Sequence, residues 1–261
     1  MSLRFGNVSV VAEHKIFSDK KDFRQEILAI DGEKQDVRDV VDIMRTRMDN
    51  FHVIQTGLRK ILELIFNCEK HKKYMMGEEF DGKPKVSGDC YKVVIESIFK
   101  NLKYPAIASC GFHIFKHLAN SKEEPRRLLY RDALVNCGCT QLIVEGLNVH
   151  LLEADVCLHG TYALVVLGHG AESILSEMRH FQATPILEKI KAEYLISRPK
   201  TTRLASQMLA MLASLKNNSL YQLQVEAQRL RRAAASPNAS IQDKVAAAKA
   251  QAAIQLAKMT S

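Results

Sequence analysis

An all-α fold is what this sequence predicts, on three observations. Gly and Pro together supply only 18 of its 261 residues, where average usage would make them about 12% of a chain. Short strands joined by Gly/Pro turns, and doubly wound folds with Gly-rich loops, are therefore disfavoured. Second, one apolar pattern recurs four times around a small residue: Gly57, Gly111, Gly160 and Ala205 each have apolar residues at −9, +4 and +7. Third, these small residues are 54, 49 and 45 positions apart, the interval of stacked helical repeats. With 47% hydrophobic and 25% charged residues, the chain can bury a substantial core.

Taken in chain order, residues 1–36 read as an N-terminal arm or cap. Val8, Val10 and Val11 suit an extended segment, and Phe23, Ile27, Leu28 and Ile30 a short amphipathic helix. The arm either covers the apolar end of the first repeat, as a stack of repeats requires, or serves as a binding arm. Residues 37–216 form the repeat region. The spacings +4 and +7 put those apolar side chains on the buried stripe of a helix. A Gly on that stripe costs about 1 kcal/mol relative to Ala, so three at one register imply close helix–helix approach.

A second helix precedes each of these, around Val40–Met44, Val93–Phe99, Leu142–Leu147 and Pro185–Ile190. The third unit has a further helix, about Pro125 to Val135, with Pro in its first turn where it is tolerated. Asn136-Cys137-Gly138-Cys139 then reads as a left-handed helix end and tight turn. Met76 to Asp89, with Gly77, Gly82, Pro84 and Gly88, reads as a loop inserted in the longest interval, either a partner contact or tolerated length.

Residues 217–261 form a basic, Ala-rich helical extension. Leu220, Leu223, Ala227, Leu230 and Ala234 make a short heptad seam, interrupted at Pro237. Ser240 with Asp243 resembles a capping box opening a second helix with the face Ile241, Val245, Ala248, Ala252, Leu256 and Met259. Small residues bury little area and isolated helices this short are marginal, so the extension either docks on a partner, packs back on the repeat region, or stays disordered.

The stretch Asp132-Ala-Leu-Val-Asn-Cys-Gly-Cys-Thr-Gln-Leu-Ile-Val-Glu-Gly-Leu147, followed by Asp155 to Leu167, resembles an armadillo repeat: helix, Gly turn, helix, then a third helix ending small-x-x-x-Leu-x-x-Leu. Weaker copies extend over about residues 37–216; HEAT-like repeats share this layout. The resemblance implies a right-handed α-solenoid of about four repeats whose third helices line a groove. In armadillo proteins similar to importin alpha, Trp at +2 and Asn at +6 grip an extended peptide. Here +2 holds Arg59, His113, Tyr162 and Gln207, and +6 holds Glu63, His117, Val166 and Met211. The chain has no Trp, so the resemblance implies a groove for something other than a repetitive basic peptide.

Catalytic and metal-binding patterns are weak. His113 and His117, four apart on one helix, could share a metal ion, but spacing supplies no further ligand, and two groove-facing polar residues is the simpler reading. Cys137 and Cys139 flank a turn, where Cys acts as a small hydrophobe. Cys157 and His159, two apart on a helix, point to different faces, which disfavours a nucleophile–base pair. Gly168-His169-Gly170 has no preceding strand and no following Lys-Ser/Thr; it reads as a turn between helices. No active site, cofactor or small-molecule substrate is expected.

The net charge is +8. In residues 217–261, Arg229, Arg231, Arg232, Lys244, Lys249 and Lys258 face only Glu226 and Asp243, which suits an acidic partner. Together with the groove residues Arg59, Glu63, His113, His117, Tyr162 and Gln207, the tail residues Arg229, Arg231, Arg232, Lys244 and Lys249 are the candidate partner-binding positions. The expected function is a non-catalytic scaffold joining other proteins. Armadillo-like proteins occur in cytoskeletal and ciliary assemblies, so the resemblance extends to acidic surfaces such as tubulin tails. RNA or other nucleic acid bound by the tail is the alternative, although the tail has no aromatic residue after Tyr221 for base stacking. No apolar run is long enough to span a membrane, and the N-terminus lacks a signal-peptide pattern. With six cysteines read as free thiols, a cytoplasmic location is expected.

Overall fold

The computed structural model describes residues 25–29, 37–66, 68–78, 90–215, 227–231 and 246–251. These are helices and turns, with no strand among them. The main helices are α1 (Val37–Thr46), α2 (Phe51–Phe66), α3 (Glu69–Met75), α4 (Cys90–Lys100), α5 (Pro105–Ala119), α6 (Glu124–Asn136), α7 (Cys139–Val149), α8 (Ala154–Gly168), α9 (Glu172–His180), α10 (Ala183–Glu193) and α11 (Pro199–Ala213). The chain divides into two compact units at Tyr130/Arg131, within α6.

In the N-terminal unit α2 lies against α5, α1 against both α2 and α4, and α4 against α5. Its core holds Met44, Ile54, Ile61, Ile98, Phe112 and Phe115, all fully buried. In the C-terminal unit the same relations recur one for one: α8 lies against α11, α7 against both α8 and α10, and α10 against α11. In each unit, then, the two helices that carry the apolar pattern lie against each other, and so do the two helices that precede them. Gly57, Gly111, Gly160 and Ala205 are all buried.

The close approach expected at the glycines is present in the N-terminal unit. A Cβ on Gly57 would stand 2.5 Å from Cγ and Sδ of Met44, and one on Gly111 would stand 2.5 Å from Cγ1 of Ile98. In both cases the intruding side chain comes from the second helix, 13 positions earlier in the chain.

Helices α3, α6 and α9 end in the same way. Gly77, Gly138 and Gln182 have φ of 80°, 81° and 61°, and their amides donate to the carbonyls three residues back, at Tyr74, Val135 and Arg179. This is the left-handed helix end foreseen at Gly138; at Gln182 a side-chain-bearing residue takes the same conformation. Turns between second and third helices are also tied alike. Asn101 Nδ2 donates to the Met48 carbonyl at 3.3 Å, and Tyr194 Oη donates to the Leu151 carbonyl at 3.0 Å. Both acceptors stand at −9 in the repeat register.

Two expectations are corrected. Of the +4 and +7 positions, expected on a buried stripe, Leu209 is only half-buried. At −9, Met48 is buried, Leu102 and Leu151 are half-buried, and Ile196 is 93% exposed. In the fourth repeat Tyr194 is buried, and its hydroxyl reaches the Leu151 carbonyl. In the extension Ala247 is buried and Ala248, on the predicted face, is exposed; Ile241, Val245, Ala252, Leu256 and Met259 of that face lie outside the described residues. Of the first seam, Ala227 is buried and Leu230 half-buried; Leu220, Leu223 and Ala234 lie outside the described residues. So do most of the arm and residues 79–89; in the arm, Ile27 is buried and Leu28 exposed on a short helical turn.

Candidate functional site

The third helices α2 and α5 of the N-terminal unit run side by side in the same direction. Three contacts mark this along their length. Phe51 stacks on Tyr104 at the first end, with ring centroids 4.6 Å apart. Midway, the Arg59 guanidinium on α2 lies close enough to the Cys110 thiol on α5 to act on its charge. At the far end the Phe66 ring meets His117 edge-on at 5.1 Å. Burial pushes the Cys110 thiol above its usual pKa, and the nearby Arg59 charge partly opposes this.

The predicted groove residues of this unit come together on that pair. Arg59 and Glu63 are exposed on α2, and His113 and His117 are half-buried on α5, their rings 4.9 Å apart. Glu63 is held by Lys60 at 3.1 Å. No carboxylate pairs with Arg59 among the described residues, so its charge is left to solvent or to a ligand. Phe66, 53% exposed, adds an apolar surface beside the imidazoles. Phe51, Phe66, Cys110 and Tyr104 were not singled out from the sequence, although an aromatic at the end of an amphipathic third helix was a readable signal.

Tyr162 and Gln207 lie in the C-terminal unit, on α8 and α11. Tyr162 is half-buried with the Lys200 ammonium 6.0 Å from its ring centroid, and Gln207 is exposed. Val166 and Met211 are half-buried on the same helices. Of the tail residues, Arg229, Arg231 and Lys249 are exposed, while Arg232 and Lys244 lie outside the described residues. Gln228 ties the tail to this unit through a 3.3 Å bond from Nε2 to Asn136 Oδ1.

The alternative chemistries can be placed as well. Cys139 and Cys157 are buried and Cys137 is half-buried, and all six cysteines are free thiols. The Cys157 thiol donates to the His150 and Leu151 carbonyls at 3.4 Å each. Burial pushes it up to about 11, the opposite of what a thiolate nucleophile needs. No group of three or more His, Cys, Asp or Glu among the described residues is placed to hold a metal ion. No helix among the described residues is long and apolar enough to cross a membrane. Comparison with protein-family models, with curated proteins and with solved structures finds no significant match to this chain.

Proposed function

We propose that this chain is a non-catalytic protein-interaction scaffold built on armadillo-like repeats, and that the α2–α5 face takes an acidic segment of a partner protein. Support for the repeat reading comes from the recurring helix pairs, the two 13-residue glycine contacts and the three matching helix ends. The observation that carries the partner class is the joint placement of Arg59, His113 and His117 on one exposed face whose acidic residue, Glu63, is already held by Lys60. The Arg59 cation steers and holds carboxylates, and the two imidazoles beside it offer polar contacts. Phe66 offers an apolar anchor beside them, which adds specificity that charge alone lacks. Acidic tails of the tubulin type fit this chemistry, and with them a place in a cytoskeletal or ciliary assembly.

Fluorescence anisotropy of a labelled glutamate-rich peptide tests the reading. The peptide binds at low salt and more weakly at physiological salt, because exposed charges are screened within about 8–10 Å. Arg59→Glu lowers affinity by about tenfold or more, the scale of a close charge pair. Absence of binding at low salt, or equal binding by the variant, contradicts it. The nucleic-acid reading rests on Arg229, Arg231 and Lys249 being exposed. It predicts instead that log affinity for RNA falls steeply with log salt and that Arg229→Ala with Arg231→Ala flattens the slope.

A further inference from the structure

The largest exposed apolar side chains of the C-terminal unit gather at one edge. Val149 and Leu152, in and after α7, are 58% and 79% exposed; Leu195 and Ile196, after α10, are 61% and 93% exposed. The bond from Tyr194 Oη to the Leu151 carbonyl holds these two turns side by side. Single exposed apolar residues are ordinary, but four on two turns tied together point to an interaction surface.

Charges flank it in a pattern that the repeat register makes visible. Glu153 and Asp155 begin α8 at positions −7 and −5 from Gly160, and Arg198 and Lys200 begin α11 at positions −7 and −5 from Ala205. All four are exposed, and no salt bridge found among the described residues engages any of them. The acidic pair suits the positive end of α8, whereas the basic pair sits at the positive end of α11, where cations are unfavourable. Carboxylates arriving from outside would relieve that.

We propose that two copies of this chain associate through this edge in an isologous pair. A two-fold axis brings the α7–α8 turn of one copy onto the α10–α11 turn of its partner, so each contact occurs twice. Leu152 and Ile196 are covered, and Glu153 and Asp155 of each copy meet the basic pair at the start of α11 in the other. A wholly acidic partner, or nucleic acid, would be repelled by Glu153 and Asp155; a second copy satisfies both signs.

Sedimentation equilibrium of the full chain, across a wide concentration range, is the test. The chain is expected to dimerise. Ile196→Asp gives a monomer with an unchanged helical circular-dichroism signal, since the side chain is exposed. Glu153→Arg and Arg198→Glu each weaken the dimer by about tenfold or more, and the two together recover it, because the exchanged charges meet again across the axis. A monomer at every concentration overturns the proposal. So does a dimer that Ile196→Asp leaves intact, or a double variant weaker than either single one.

Discussion

Ile98 fills the space that a side chain at Gly111 would need: its Cγ1 lies 2.5 Å from where a Cβ would stand. Met44 does the same at Gly57, through Cγ and Sδ. Both intruders are fully buried, but they differ in how far they can move. Ile is branched at Cβ and restricted in rotamer, whereas Met is unbranched and adaptable. Replacing Gly by Ala gains about 1 kcal/mol of helix propensity, against an overpacking cost of about 1–3 kcal/mol. Gly111→Ala is therefore expected to destabilise by about 1 kcal/mol, and Gly57→Ala to be close to neutral. Urea midpoints decide it; equal stabilisation by both would show that neither contact is tight.

Two arginines close the third helices of the C-terminal unit. Arg131, only 3% exposed, donates through Nη2 to the Leu167 and His169 carbonyls at 2.5 Å each and through Nε to Leu167 at 3.1 Å. Arg179 donates to the Leu212 carbonyl, which holds the same +7 position. A fork of donors on carbonyls at a helix C-terminus satisfies groups that the helix leaves unpaired. Arg131→Lys keeps the charge but loses the fork, and should cost about 1–3 kcal/mol. Arg179→Lys, more exposed and with fewer bonds, should cost less. Thermal unfolding of the two variants checks the order.

Gln182 adopts the left-handed conformation that glycine holds at positions 77 and 138. For a residue with a Cβ this conformation costs about 1–2 kcal/mol, part of which the flexibility of glycine in the unfolded chain would offset. Gln182→Gly is expected to stabilise by about 0.5–1 kcal/mol, and Gly138→Ala to destabilise by about 1 kcal/mol or more. A loss of stability in Gln182→Gly would mean that the side chain makes a contact worth more than the strain.

The Cys157 thiol gives the C-terminal unit an alkaline sensitivity. Burial raises it from 9.0 to about 11, so between those values the unfolded chain gives up a proton that the folded chain keeps. The stabilisation is complete below about pH 9 and is lost as pH rises through about 11. Tyr194, pushed up to about 12 chiefly by burial, extends the decline further. Melting temperature should fall over this range, and Cys157→Ala should make the fall shallower. Iodoacetamide at neutral pH should modify half-buried Cys137 before Cys157; the reverse order would contradict the burial.

Much of the fold was legible because its signals are local. Helix periodicity around Gly57, Gly111, Gly160 and Ala205 located the third helices, and Gly138 announced its own turn. What was not legible depends on contacts between distant positions. Tyr194 is buried and Ile196 exposed, with the Tyr194 hydroxyl on a carbonyl 43 residues away. Gln182 carries no turn signature, since the conformation is imposed by the helices on either side. At the candidate site, Arg59, Glu63, His113 and His117 came from the armadillo resemblance, which marks the +2 and +6 positions as groove-lining, and not from the periodicity. The roles of Phe66 and Cys110 emerged only from the pairing of α2 with α5.

Photo-crosslinking reads the interaction face most directly. Benzoyl-phenylalanine is placed in turn at 66 on the α2–α5 face, where it keeps the aromatic ring and leaves Arg59 in place, and at 248 in the tail, and each variant is irradiated with a glutamate-rich peptide at low salt. Mass spectrometry should find the peptide joined at 66, with excess unlabelled peptide suppressing the product. Crosslinks at 248 alone, or none at 66, would contradict an acidic segment seated beside Arg59 and His113.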